Sequence, residues 1–159
     1  MQDFDLVIFD CDGVLIDSEI ISARMLVAEL ARLGLEIDLT YVERNFLGRS
    51  YPVVMETIRR EFGLDLPPDF ETRYRENLLA VFRSDLRVVP HVQDVLLAMA
   101  VPFCVATSSS PRRVELSLGL VGLTALVGGR VYTSTMFAQG KSAPDLFLFA
   151  AQKMGVRPD

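Results

Sequence analysis

The chain has 159 residues, half of them hydrophobic, and a formal net charge of −5, with a pI near 4.9. That length suits one ordinary domain or a small domain with an insert, and the lack of a basic stripe to meet a phosphate backbone argues against nucleic acid as a partner. No apolar run approaches the ~20 residues needed to cross a bilayer, and no basic segment precedes the first apolar run, so neither a membrane span nor a signal peptide is expected.

Leu6-Val7-Ile8-Phe9 reads as a buried β-strand that breaks at Gly13. Asp10 and Asp12 sit at its carboxyl end, where strand alternation predicts that both side chains project to one side. Two carboxylates forced together there are costly to keep charged without a cation or a proton. This is a poor way to build a core and a good way to build a reaction centre. Cys11 lies between them and Cys104 in a later apolar run. Cys11 is conceivable as a nucleophile, but a buried cysteine is usually a small hydrophobe. Two cysteines so placed suggest no disulfide framework, and a reducing, cytoplasmic setting is expected.

A helix-rich block follows. Ser18 is expected to cap a helix to about Leu33, with Ile21, Met25, Ala28 and Leu33 as its apolar stripe and Gly34 past its end. Thr40 is expected to cap a short helix ending near Leu47-Gly48. Ser50 should cap the next, with Pro52 in its first turn and Gly63 at its close. Pro67-Pro68-Asp69 opens a fourth, carrying Phe70, Tyr74, Leu78 and Phe82. Arg59-Arg60 reads as a solvated helix face. Four helices without a strand favour a small bundle.

The pattern then changes. A helix from about His91 to Ala100 leads into a buried strand, Pro102 to Thr107. Ser108-Ser109-Ser110-Pro111 turns into a helix reaching about Leu120. Gly128 to Thr133 reads as a short strand, and Ala143-Pro144-Asp145 opens a last helix ending at Met154-Gly155. Strand–helix alternation calls for an α/β fold with a parallel sheet. The expected division is a core of residues 1–16 and 86–159 with a four-helix insert at 17–85.

In an open parallel sheet, ligands gather at the carboxyl ends of the strands. Asp10 and Asp12 belong there, as does Thr107-Ser108 at a helix start, where a hydroxyl and backbone N–H groups can cradle a phosphate. In isolation Ser-Ser-Ser-Pro is more often an ordinary helix cap. Gly140-Lys141 follows the next strand, and beside two carboxylates Lys141 becomes a counter-charge. Together these residues resemble the haloacid dehalogenase-like superfamily. Its first phosphotransferase motif, Asp-x-Asp-Gly-x, is found as Asp10-Cys11-Asp12-Gly13-Val14. Its second, a Thr or Ser ending an apolar strand, matches Thr107. Its third, a Lys ahead of Pro-x-Pro-Asp, matches Lys141-Ser142-Ala143-Pro144-Asp145, with Ser for the first Pro.

The resemblance covers the whole chain and is closest to the β-phosphoglucomutase and sugar-phosphatase branch. It implies a Rossmann-like core with a C1 cap. Asp10 is then the nucleophile, Asp12 the acid and base, and Thr107, Ser108 and Lys141 the phosphate ligands. Mg²⁺ would be held by the Asp10 carboxylate and the Asp12 backbone carbonyl. Gly48-Arg49-Ser50 is the cap loop placed over the aspartates, where Arg49 could meet a second anionic group on the substrate; an ordinary turn with an exposed Arg is the equal alternative. Ser22 stands where the mutases carry a His, which favours a phosphatase. His91 is expected at a helix end or in solvent.

The family's fourth motif, a strand ending in an acidic pair, has no counterpart before Asp159. The expectation is a core incomplete at its C-terminus, whose first strand is an open edge suited to self-association. The sequence therefore favours an Mg²⁺-dependent phosphatase acting on a small phosphorylated metabolite, perhaps a sugar phosphate. Its rivals are an inactive fragment that binds ligand or self-associates, and a phosphosugar mutase.

Overall fold

The structure, a computed structural model, describes residues 4–49, 51–136 and 143–157. In chain order its elements are β1 (Val7–Phe9), α1 (Glu19–Ala31), α2 (Leu39–Asn45), α3 (Tyr51–Phe62), α4 (Phe70–Asp85), α5 (Val92–Ala98), β2 (Phe103–Thr107), α6 (Pro111–Leu120), α7 (Thr124–Val127), β3 (Val131–Thr133), one 3-10 turn at Ser134–Met136, and α8 (Ala143–Lys153). The fold is α/β. The backbone divides into two compact units, one made of Met1–Asp17 with Leu86–Asp159, the other of Ser18–Asp85.

In the first unit the parallel sheet has the order β1-β2-β3. Val7 lies opposite Phe103 and Phe9 opposite Val105, while Thr107 lies opposite Thr133. All five residues of β2 are buried, as suits a middle strand covered on both faces. α8 lays Leu146 and Ala150 against Cys104 and Ala106 of β2. Among the described residues β1 pairs with β2 alone, so the edge at which the sequence anticipates self-association carries no strand there.

The strand expected from Gly128 starts only at Val131. Gly128 and Gly129 take left-handed φ values of 58° and 75°; Gly128 closes α7, a one-turn helix that the apolar pattern did not announce.

The chain leaves and re-enters this unit through paired backbone. The Asp17 N–H donates to the Arg87 carbonyl at 2.9 Å and the Val89 N–H to the Leu15 carbonyl at 3.0 Å, with Ile16 bridged antiparallel to Val88.

The helical unit buries a cluster that includes Leu30, Val42, Phe46, Ile58 and Phe70. On α4, Phe70, Leu78 and Phe82 are buried as their spacing predicts. The α1 stripe differs from expectation. Its buried face is Ala23, Leu26, Glu29 and Leu30, while Ala28 is exposed and Ile21, Met25 and Leu33 are half-buried. α1 is apolar around most of its circumference, so several stripes satisfy a 3.6-residue period. The buried Glu29 is held by Arg32 Nη1 at 2.7 Å and Asn77 Nδ2 at 2.9 Å. α2 is capped by Asp38, whose side chain accepts from the Tyr41 N–H at 2.7 Å. Thr40 lies inside the first turn. Ser18 does stand at the N-cap of α1, but without a side-chain capping bond.

Candidate active site

Because β1 and β2 are parallel and in register, their carboxyl ends fall together. Asp10 follows Phe9, and Thr107 stands two residues past Val105, the partner of Phe9. Asp10 Oδ1 accepts the Cys11 N–H at 2.6 Å, and the Thr107 side chain is also hydrogen-bonded to the Asp10 carboxylate. Thr107 Oγ1 in turn accepts the Ser109 N–H at 3.2 Å. Burial raises the Asp10 carboxyl above its ordinary range and the Asp12 charge adds to this; the Cys11 N–H and the Thr107 hydroxyl partly offset both.

β1 ends at Phe9, so strand alternation is not what brings Asp12 beside Asp10. A tight turn does it. The Cys11 carbonyl accepts from the N–H groups of Val14, Leu15 and Ile16 at 3.4, 2.9 and 3.1 Å, and the Gly13 N–H donates to the Ile16 carbonyl at 2.9 Å. Gly13 sits at φ 73°, a conformation that disfavours any residue with a Cβ.

Asp12 is gripped from one segment. Its Oδ1 accepts from Arg113 Nη2 at 2.6 Å and its Oδ2 from Ser109 Oγ at 2.5 Å. The Arg113 side chain is 20% exposed. Sequence reasoning missed both residues. One signal was available: Arg112 and Arg113 lie in the first turn of α6, where the helix dipole disfavours cations, a cost that an anionic partner offsets.

The Cys11 thiol is pushed up to about 12 by burial, then by the charges of Asp12 and Asp10. It stays protonated near neutrality, which removes the nucleophile reading. Burial pushes Cys104 to about 11.

Ser110 is the N-cap of α6 but its side chain makes no capping bond, so the serine run does not serve as a side-chain cap. Ser108 is exposed at this turn, and its carbonyl accepts from Ser134 Oγ at 3.3 Å. The site unit thus brings together Asp10, Asp12 and Thr107, with Ser108 in the adjoining turn. Arg49 is exposed in the turn after α2, within the helical unit, its N–H donating to the Phe46 carbonyl at 3.1 Å. Ser50 and Lys141 lie outside the described residues. His91 is the N-cap of α5, with its side chain 85% exposed and 3.7 Å from Asp94.

Among the described residues no cluster of three or more His, Cys, Asp or Glu side chains is disposed for a metal ion. Mg²⁺ asks for less, since it keeps several waters and leans on one or two carboxylates plus substrate phosphate. The Asp10 carboxylate is a hard oxygen donor of that kind. The Asp12 carboxylate is engaged by Arg113 and Ser109, which leaves its backbone carbonyl as its contribution.

Known proteins resemble this chain along most of its length. The 6-phosphogluconate phosphatase of Escherichia coli (strain K12) is 27% identical over 157 residues, which span 98% of this chain and 71% of the relative. The crystal structure of a hydrolase from Deinococcus radiodurans R1 with bound phosphate and sodium is similar at 34% identity and a TM-score of 0.75, covering 96% of this chain and 68% of that one. A haloacid dehalogenase-like protein from Agrobacterium tumefaciens superposes with a TM-score of 0.87 at 29% identity, over 97% of this chain and 70% of that one. No helix among the described residues is long and apolar enough to cross a membrane. The family match extends over residues 4–159, and the chain therefore belongs to the haloacid dehalogenase-like hydrolases.

Proposed function

We propose that this hydrolase is a phosphatase that cleaves a small phosphomonoester, a sugar phosphate or a close analogue, through a phosphorylated Asp10. The observation that carries the reading is the convergence of Asp10, Asp12 and Thr107 at the carboxyl ends of β1 and β2. The name of the Escherichia coli relative and the phosphate in the Deinococcus structure support it.

An Asp10 carboxylate oxygen attacks phosphorus as the ester P–O bond breaks. The Asp12 carboxyl gives its proton to the departing alkoxide oxygen, which leaves as the alcohol. The ionised Asp12 then takes a proton from water, the hydroxyl oxygen bonds to phosphorus, and the Asp10–phosphorus bond breaks to restore the carboxylate. Phosphate leaves, and Asp12 again carries the proton that it gave to the alkoxide. Thr107, the Ser108 N–H and Lys141 hold the phosphoryl oxygens, where transition-state charge collects. Mg²⁺, held by the Asp10 carboxylate and the Asp12 carbonyl, would neutralise phosphoryl charge. Two unpaired buried thiols suit a reducing, cytoplasmic setting.

The test is phosphate release from a panel of sugar phosphates, nucleotides and an aryl phosphate, with Mg²⁺ and with excess chelator. Turnover of at least one phosphomonoester that collapses with chelator is expected. No turnover of any member with Mg²⁺ present would refute the reading.

In the same reading residues 17–85 form a cap that selects the substrate, with Arg49 and Ser50 at its contact loop. Arg49→Ala is expected to lower kcat/KM for the preferred sugar phosphate by about tenfold, and that for the aryl phosphate by less than about twofold. A uniform loss over the panel, or none, would contradict the assignment.

A further inference from the structure

We infer that Arg113, with Ser109, is the positioning device for proton transfer by Asp12, an assignment that rests on the phosphatase reading above. Asp12 sits on a turn that begins where β1 ends, and an aspartate there has χ1 and χ2 to settle. Each of its oxygens is met by a different donor: Oδ1 by the Arg113 guanidinium at 2.6 Å and Oδ2 by the Ser109 hydroxyl at 2.5 Å. Two contacts to two oxygens of a planar group fix both torsions, which a single contact cannot do.

Both donors are themselves held. Ser109 lies in the β2–α6 turn, and its backbone N–H is tied to Thr107 Oγ1 at 3.2 Å. Arg113 stands in the first turn of α6, whose N-terminus favours anions over cations. Its placement there is a local cost to the helix, which pairing with Asp12 offsets. Neither donor is assigned a bond to the phosphoryl group. They act through Asp12, so the β2–α6 turn and the start of α6 together set the geometry of that carboxylate.

A displaced acid has a kinetic signature that general damage to the fold lacks. kcat/KM reports the steps up to departure of the first leaving group. A sugar alkoxide needs the Asp12 proton to leave, whereas a dinitrophenolate leaves without it. Arg113→Met is therefore expected to lower kcat/KM for the best sugar phosphate by roughly 10–100-fold, and that for 2,4-dinitrophenyl phosphate by less than about threefold. Ser109→Ala should show the same asymmetry with a smaller loss, and serves if the arginine variant folds poorly.

Asp10→Asn measured alongside separates the two ideas. If it retains turnover, the phosphorylated-aspartate reading itself is wrong. If it is dead, and both Arg113→Met and Ser109→Ala lose activity equally on the two substrates or not at all, the positioning role alone is overturned.

Discussion

Asp10→Asn is expected to abolish turnover, with a loss of at least about a thousandfold in kcat, while the protein melts no lower than the parent. The two halves of that result have separate causes. The amide keeps the shape of the carboxylate and can still accept the Cys11 N–H that Asp10 receives at 2.6 Å, but it offers phosphorus no nucleophilic oxygen. Stability is spared because burial and the Asp12 charge raise the Asp10 carboxyl above its ordinary value. A group whose folded-state value is raised is one whose ionised form the fold disfavours, so at neutral pH a neutral amide removes a strain rather than a support. Phosphate release and a thermal melt on the same preparation check both halves. Near-normal kcat in a folded Asp10→Asn protein would exclude Asp10 as the nucleophile.

Phe70→Ala should be among the most damaging single changes to the helical unit. Phe70 opens α4, is 1% exposed and belongs to the cluster with Leu30, Val42, Phe46 and Ile58. Its ring is stacked on Tyr74 at 6.3 Å between centroids. Truncation removes that contact and opens a cavity among side chains from several helices, at a cost of about 3–5 kcal/mol. Denaturant unfolding followed by far-UV circular dichroism measures it, with the first transition assigned to this unit if two appear. A change below about 1 kcal/mol would mean that the cluster collapses around the missing ring and is not close-packed there.

What the sequence made legible follows from how local each signal is. The two longer-range features of the site, Asp10 at the end of β1 and Thr107 at the end of β2, were readable because each closes an apolar run bounded by turn residues. β2 in particular is buried at every position, and an unbroken apolar run states this directly. The cap of α2 was misplaced by two residues because Asp38 and Thr40 are both good N-cap types; the choice fell to the residue whose oxygen reaches the Tyr41 N–H. The buried face of α1 was misread because hydrophobicity surrounds that helix and leaves the choice to tertiary packing. The position of Arg113 at a helix start hinted at an anionic partner, but which carboxylate it meets was not legible. Arg113 lies 101 residues away along the chain, and only the parallel register of β1 and β2 brings the start of α6 to the turn after β1.

The backbone ladder of Leu15–Asp17 with Arg87–Val89 also bears on how such a protein can diversify. To the sheet, everything from Ser18 to Asp85 is the tip of a hairpin whose stem is already zipped. Closing a longer or shorter tip changes the entropy of the chain only logarithmically. The helices beyond the stem can therefore be lengthened, shortened or replaced at little entropic cost to the stem, while the spacing of Asp10, Asp12 and Thr107 is left unchanged.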